Sequence, residues 1–226
     1  MKILGLDTSG KMASVAVLDT EKKILLGEHT VYTSRTHSQV IMPMCKNLLE
    51  ECNLTVKDVN GFAVAVGPGS YTGLRIGIAA VQGMAMVNHT PCKGISTLAA
   101  MAARISSEEW ILSVMYAREN LFYYGIYQRH HMNDMGTLGT VEEIAERIRD
   151  YDKLMLVGDG AEKFREQYEQ IQKYPPWLIY PPYILNLQSA AGVCMAAAYA
   201  DDWGTAADLT ASYLQAVQIQ KKKNDL

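Results

Sequence analysis

Asp7, Thr8 and Ser9 are residue types that can contact a phosphate group or a magnesium ion, and they directly follow a short apolar run at residues 2–6 (KILGL). Carboxylate and hydroxyl oxygens suit a magnesium–phosphate group, and a turn at the end of a strand can present them together. The same three residues are also good turn formers, and the triplet alone favours that simpler interpretation. The sequence therefore contains a candidate phosphate loop that needs support from elsewhere in the chain.

A glycine-rich stretch at residues 67–77 (GPGSYTGLRIG) also follows an apolar run, at residues 61–66. Glycine-rich turns between a strand and a helix often hold phosphate. This one is not a P-loop, because no Lys-Ser/Thr pair follows its last glycine, and its spacing does not match the dinucleotide fingerprint. The candidate remnant of a nucleotide loop therefore comprises Asp7, Thr8, Ser9, Gly67, Gly69 and Ser70.

The glycine-rich stretch leads into a predicted helix at about residues 72–88, which Ser70 or Thr72 could cap. One stripe of this helix consists of small residues that let another backbone approach closely: Gly73, Gly77 and Ala80. The neighbouring stripe is apolar: Leu74, Ile78, Val81 and Ala85. A helix that is apolar around most of its circumference is either central to its own chain or shared with a partner. Taken alone, the pattern favours a central helix.

The histidines do not form a metal-binding pattern. They are His29, His37, His89, His130 and His131, and no pair has the H-x-x-x-H spacing that puts two rings on one helix face. The sequence also lacks the G-x-S-x-G motif of a serine nucleophile. We therefore predict no metal site and no catalytic residues.

Composition narrows the class of protein. The chain has 226 residues, 49% of them hydrophobic, and a formal net charge of −3, so it lacks the basic character of a protein that binds nucleic acid by itself. Its four cysteines form no C-x-x-C pair. The N-terminus does not read as a signal peptide, and no apolar stretch is long enough to span a membrane. We expect a cytoplasmic protein.

The first half of the chain predicts the order β-β-β-α-β-α. Apolar runs at residues 2–6, 12–18 and 23–31, separated by short turns, predict an antiparallel meander. A helix that Ser34 or Thr36 could cap should follow, with Pro43 inside it and therefore a kink. One face of this helix is apolar: Val40, Ile41, Met44, Leu48 and Cys52.

The second half partly repeats this order. Residues 111–117 and 121–128 predict a hairpin, followed by a helix at 141–150 and a strand at 154–157. Two further helices are predicted at 161–171 and 189–200. Proline pairs at 175–176 and 181–182 predict an irregular connection. Two such halves predict an α/β protein of the actin-like ATPase (ribonuclease H-like) fold, in which each lobe has a mixed sheet with flanking helices. The predicted lobes are residues 1–105 and 106–226.

Several of these segments resemble the TsaB (YeaZ) family, accessory subunits of the bacterial machinery that makes threonylcarbamoyladenosine in tRNA. The most specific segment is residues 66–77 (VGPGSYTGLRIG). Supporting segments are residues 6–9 (LDTS), 36–38 (THS), 42–44 (MPM), 94–96 (GIS), 158–161 (GDGA) and, weakly, 213–214 (YL). The resemblance is dense over residues 1–105 and sparse beyond them.

The resemblance implies a non-catalytic subunit that binds the catalytic subunit TsaD, with the ATPase subunit TsaE joining the pair and tRNA reached only through the complex. It implies no cofactor bound by this chain, with ATP or ADP near the contact with TsaD. Homodimers of the family use the same surface, formed by the helices after the His-Ser and glycine-rich segments. The implied interface residues are His37, Ile41, Met44, Leu48, Tyr71, Thr72, Gly73, Leu74, Arg75, Gly77, Ile78, Val81, Gln82 and Ala85.

One departure from the family lies in the second hairpin, which reads Tyr116-Ala-Arg118 where the family usually has Asp-Ala-Arg. The missing acidic residue argues against independent nucleotide hydrolysis. Two alternatives stay open at this point. The chain could be an actin-like ATPase or kinase that uses Asp7, Thr8, Ser9 and Ser70 around a nucleotide. It could also be a peptidase, a label this family has sometimes carried, although neither metal ligands nor a triad supports that alternative.

Overall fold

The computed structural model describes residues 1–32, 36–105, 109–128, 131–181 and 186–214. These residues form two five-stranded sheets with helices packed against them. The expected Ser34 cap, one histidine (His130) and the lysine-rich C-terminus lie outside the described residues.

The first sheet has the strand order β3-β2-β1-β4-β5. The first three strands form the predicted antiparallel meander, and β4 and β5 run parallel to β1. Strands β2 and β4 are buried along their whole length, because helices cover both faces of the sheet. The strands are β1 (Lys2–Asp7), β2 (Met12–Asp19), β3 (Ile24–Tyr32), β4 (Gly61–Gly67) and β5 (Cys92–Ser96).

The second sheet repeats this arrangement, with the order β10-β9-β6-β7-β8. Strands β6, β7 and β8 form an antiparallel meander, and β9 and β10 add in parallel, so each strand has a counterpart in the first sheet. The strands are β6 (Trp110–Arg118), β7 (Leu121–Tyr127), β8 (Thr137–Thr140), β9 (Leu154–Val157) and β10 (Leu178–Ile179). The predicted internal repeat and the actin-like fold class are confirmed.

Six α-helices connect or cover the sheets in the described part of the chain. They are α1 (His37–Glu51), α2 (Tyr71–Ala85), α3 (Thr97–Ala103), α4 (Val141–Ile148), α5 (Ala161–Ile171) and α6 (Ala190–Ala197). Helices α1 and α2 cover the outer face of the first sheet, and α4 and α5 cover that of the second. Helices α3 and α6 pack together between the two sheets, where a Cβ on Gly192 would lie only 2.1 Å from the carbonyl oxygen of Ala100.

The regular turns of α2 end at Ala85, and the chain continues in hydrogen-bonded turns to His89, close to the predicted end at about residue 88. His89 adopts a left-handed backbone conformation with φ of 53°. This turn lets the backbone N–H of Thr90 donate to the carbonyl of Ala85 at 3.1 Å, which closes the helix. At the other end Ser70 is the cap, since its Oγ accepts from the N–H of Gly73 at 3.2 Å.

The last described segment returns to the first sheet. Helix α6 packs on β1 and β2, and the N–H of Ser212 donates to the carbonyl of Val66 at 2.7 Å. Residues 190–213 therefore contact the first sheet, while α6 also packs on α3 between the two sheets. None of the described helices is both long and apolar enough to cross a bilayer.

Candidate functional site

The glycine-rich loop after β4 packs directly on the loop that follows β1. The N–H of Ser70 donates to the carbonyl of Ser9 at 2.6 Å, and a Cβ on Gly69 would lie 2.4 Å from that same oxygen. Gly69 also has φ of 158°, in a region that side chains disfavour. Glycine is therefore required here by contact with the chain's own backbone.

The small-residue stripe of α2 meets the same loop. A Cβ on Gly73 would lie 2.1 Å from the carbonyl oxygen of Thr8, and one on Gly77 would lie 2.5 Å from Thr8 Oγ1. Thr8 Oγ1 donates to the carbonyl of Gly73 at 2.7 Å. The predicted close approach of a second backbone is present, and that backbone is residues 7–9 of this chain.

Asp7 ends β1 as a fully buried carboxyl group. Its Oδ1 accepts from the backbone N–H of Ser9 at 2.9 Å and from Ser9 Oγ at 2.6 Å. Its Oδ2 has no hydrogen-bond partner among the described residues. Burial raises the pKa of this carboxyl to about 6, with Asp159 and Glu28 adding repulsion and the Ser9 hydrogen bonds opposing the shift.

A polar cleft of 680 Å³ opens beside this loop, between the two sheets. Lys11 lies on the wall formed by the first sheet, and Arg118 and Asp159 lie on the opposite wall. Gln188 Nε2 donates to Asp159 Oδ2 at 2.7 Å, and burial among the cleft walls raises the pKa of Asp159. Tyr116, at the position of the family's usual Asp, is 46% exposed in this cleft.

The cleft has the size and some of the charges that a nucleotide needs, but the metal-binding part is not apparent. Among the residues that the structure describes, no three His, Cys, Asp or Glu side chains are grouped so that they could hold a metal ion. Ser70, one of the candidate phosphate-loop residues, is already occupied as the cap of α2. The described residues bring the candidate loop together beside a cleft and leave Lys11 and Arg118 as the cations that could face an anion.

Many residues of the implied interface are buried inside this chain. They pack between the first sheet and its two outer helices, and Ile41 also lines the groove between those helices: Ile41, Met44, Leu48, Gly73, Leu74, Gly77, Ile78, Val81 and Ala85. Gln82 is committed internally as well, since its Nε2 donates to the carbonyls of Ala206 and Leu209. His37 is half-buried, and burial lowers its pKa. Tyr71, Thr72 and Arg75 are exposed.

An apolar groove with a volume of 620 Å³ lies between α1 and α2. We call it the α1–α2 groove; its lining includes Met42, Ile76, Ala79, Ala80, Gly83 and Val87. Met42 is 45% exposed and Val87 is 61% exposed. Apart from Ala80 these residues were missed from the sequence, although Ile76, Ala79, Ala80, Gly83 and Val87 follow the helical spacing of a further apolar stripe.

The comparisons with known proteins agree on one family. The family model of TsaD, tRNA N6-adenosine threonylcarbamoyltransferase, matches residues 27–218. The chain is 32% identical to TsaB of Buchnera aphidicola (subsp. Schizaphis graminum) over 73% of this chain and 81% of that protein. It is 36% identical to TsaB of Escherichia coli over 57% of this chain, and that alignment spans only 56% of the E. coli protein.

Solved structures show the same relationship. YeaZ from Pseudomonas aeruginosa superposes with a TM-score of 0.77 at 27% identity, covering 94% of this chain and 99% of that one. The ethanolamine utilization protein EutJ from Carboxydothermus hydrogenoformans and a ROK hexokinase from Thermus thermophilus give TM-scores of 0.51 and 0.50 at 11% and 15% identity. At that identity the last two are similar in fold alone.

Proposed function

The chain belongs to the TsaB (YeaZ) family, and from that premise we propose that it is a partner subunit in the biosynthesis of threonylcarbamoyladenosine in tRNA. In this role it binds a TsaD-type catalytic subunit and contributes no catalytic residues of its own. The observation that carries the proposal is the α1–α2 groove, an exposed apolar surface built on two helices of the first lobe.

The match to the TsaD family model supports the choice of partner. A TsaD-type chain of the same fold has helices equivalent to α1 and α2, so two similar apolar helix pairs can pack face to face. The same argument applies to two copies of this chain, and we propose that a homodimer uses the same surface when the catalytic subunit is absent. The two assemblies are then mutually exclusive.

The remaining parts of the assembly follow from the same proposal. A TsaE-type ATPase joins the pair, ATP or ADP binds near the contact with the TsaD-type subunit, and tRNA is reached through the complex, in the cytoplasm. The near-neutral charge of this chain supports an indirect contact with tRNA, because direct binding of the phosphate backbone needs clustered lysine and arginine.

A second candidate function is nucleotide binding or hydrolysis in the cleft between the sheets. It is favoured by the cleft volume of 680 Å³ and by Lys11 and Arg118 in its lining. Ser70 acting as a helix cap and Tyr116 at the family's acidic position both disfavour it. Magnesium-dependent ATP hydrolysis by the purified chain would favour this second candidate.

Reconstitution tests the proposed function. The cognate TsaD-type and TsaE-type subunits, unmodified tRNA and threonylcarbamoyl-adenylate generated in place would be combined. The reaction would be run with and without this chain. We expect modification of tRNA to require the chain, and the chain to co-elute with the TsaD-type subunit from a sizing column. Equal modification in its absence would refute the role.

A further inference from the structure

Three exposed side chains form a compact cluster at the N-terminal end of α2. The guanidinium carbon of Arg75 lies 3.9 Å from the centre of the Tyr71 ring. The ring of Tyr213 stacks on that of Tyr71 with centroids 5.1 Å apart and an interplanar angle of 27°. Arg75 Nε donates to Tyr213 Oη at 3.2 Å. Each member therefore contacts both others.

The fold fixes the cluster from two directions. Tyr71 and Arg75 are four residues apart on α2, so they share one face of the helix. Tyr213 ends the segment that crosses α2, and the hydrogen bond from Ser212 N–H to the Val66 carbonyl holds its backbone. Gln82 secures the same segment through the carbonyls of Ala206 and Leu209. The position of Tyr213 thus does not depend on the contacts of its ring.

This arrangement prepares Arg75 to bind an anion. A free surface arginine loses rotamer freedom when it is fixed, whereas here stacking and a hydrogen bond already limit its motion. The hydrogen bond to Tyr213 raises the pKa of the guanidinium, which stays charged. Among the described residues no carboxylate pairs with it; the groups acting on it are Tyr71 and Tyr213.

The cluster also borders the α1–α2 groove. Ala79, four residues after Arg75 and therefore on the same face of α2, lines the groove. Tyr71 and Tyr213 are 53% and 44% exposed despite their stacking, so both still offer ring surface to a partner. Tyrosine and arginine are enriched among the residues that dominate binding energy, and a rigid aromatic–cation group beside an apolar surface has that composition.

We propose that Tyr71, Arg75 and Tyr213 form a preformed anchor in which Tyr213 positions Arg75 to bind a carboxylate side chain of the TsaD-type subunit. This inference rests on the proposed function and adds a residue from outside the two interface helices. The carboxylate accepts from the terminal nitrogens of Arg75, since Nε is held by Tyr213, and the tyrosine rings exclude water from the pair.

Binding of the full-length variants to the purified TsaD-type subunit by calorimetry, at low and at high salt, tests the anchor. We expect Tyr213→Ala to weaken binding about tenfold or more, because it removes both the stacking and the hydrogen bond. Tyr213→Phe keeps the stacking, so it should weaken binding only a few-fold and make the affinity less sensitive to salt. Tyr199→Ala is the matched control, because Tyr199 is a similarly exposed tyrosine (41%) that lines neither the groove nor the cleft, and it should bind normally.

The outcomes separate the anchor from the function on which it rests. If the unaltered chain binds and Tyr213→Ala binds equally well with the same salt dependence, the anchor is refuted and the partner role stands. If the unaltered chain does not bind at all, both are refuted. Thermal melting of Tyr213→Ala close to that of the unaltered chain would show that a loss of binding reports the surface and not the fold.

Discussion

At the scale of single residues, the Asp7 carboxyl group stabilises a turn, while its burial makes its charged form unfavourable. Its Oδ1 organises the turn through Ser9, while its Oδ2 is buried without a partner among the described residues. A buried carboxylate without full hydrogen bonding disfavours ionisation, which is why the pKa of Asp7 rises to about 6. The ionised form therefore weakens the folded state at neutral pH.

The pH dependence of stability tests this. A carboxyl whose pKa is higher folded than unfolded stabilises the fold when protonated, and that contribution is lost as pH rises from about 4 to above 6. We expect the free energy of unfolding of the unaltered chain to fall by up to about 3 kcal/mol through Asp7 across this range. Asp7→Asn, which keeps an acceptor for Ser9, should lack that fall.

Urea unfolding of both proteins at pH 4 and at pH 8 would measure the difference. The comparison between the two proteins removes contributions from other carboxyls, including Asp159, whose pKa is also raised by burial. The same change in stability for Asp7→Asn and the unaltered chain would contradict the assignment.

The residue types of this loop could be read from the sequence, but their role could not. By composition Asp7, Thr8 and Ser9 fit a phosphate loop, and they fit an ordinary turn better. The structure adds the third possibility that they form the platform for Gly69, Gly73 and Gly77. A stripe of small residues predicts close contact with a second backbone. The sequence pattern does not identify whether that backbone belongs to this chain or to a partner.

At the scale of elements, helix α2 contacts the rest of the chain on several sides. The small stripe meets the loop after β1, the large apolar stripe packs on the first sheet, and Gln82 holds the segment around Ala206. Only the remaining stripe, from Ile76 to Val87, is free to line the α1–α2 groove. The sequence therefore predicted the helix and its apolar character well, and the implied interface residues on it stay a prediction.

A pair of glycine variants on α2 tests this division. Gly73→Ala should lower the free energy of unfolding by about 2 kcal/mol or more, because its Cβ would lie 2.1 Å from the Thr8 carbonyl oxygen. Gly83→Ala, on the same helix, has nothing within 4 Å of the added Cβ and should stabilise the chain by up to about 1 kcal/mol. Circular dichroism during urea unfolding would measure both.

Equal and small effects of the two substitutions would show that the loop after β1 can move away from α2. Contact with Thr8 would then not be what requires glycine at residue 73. Because Gly73 contacts the backbone of this chain, a large side chain there would disturb the fold. Such a variant therefore cannot test partner binding.

At the scale of the whole molecule, the repeat of sheet order was predictable and the position of the C-terminal segment was not. Short apolar runs predicted most of the strands, and helical periodicity of apolar residues predicted the outer helices. The short strands β8 and β10 have only 4 and 2 residues, too few for a pattern. Helix α3 (TLAAMAA) is apolar on every side because it is buried between the sheets, so it has no amphipathic signal.

The return of residues 190–213 to the first sheet depends on contacts far apart in sequence. Ser14 Oγ and Glu28 Oε1 accept from the backbone N–H groups of Ala190 and Ala191 at the start of α6. Those partners are more than 160 residues apart along the chain, with separations of 176 and 163. Local patterns do not report such pairs, so the contact of this segment with the first sheet was not predicted from the sequence.

The proposed partner function depends most on the α1–α2 groove as the surface that binds a TsaD-type subunit. The most direct measurement is the affinity of two α1 variants for that subunit, with tRNA modification measured in parallel. Met42→Glu places a charge in the apolar groove, and Asn47→Glu places the same charge on an exposed position of the same helix outside it. We expect Met42→Glu to lower affinity at least about tenfold and modification with it, and Asn47→Glu to match the unaltered chain. Undiminished binding and modification with Met42→Glu would contradict the account.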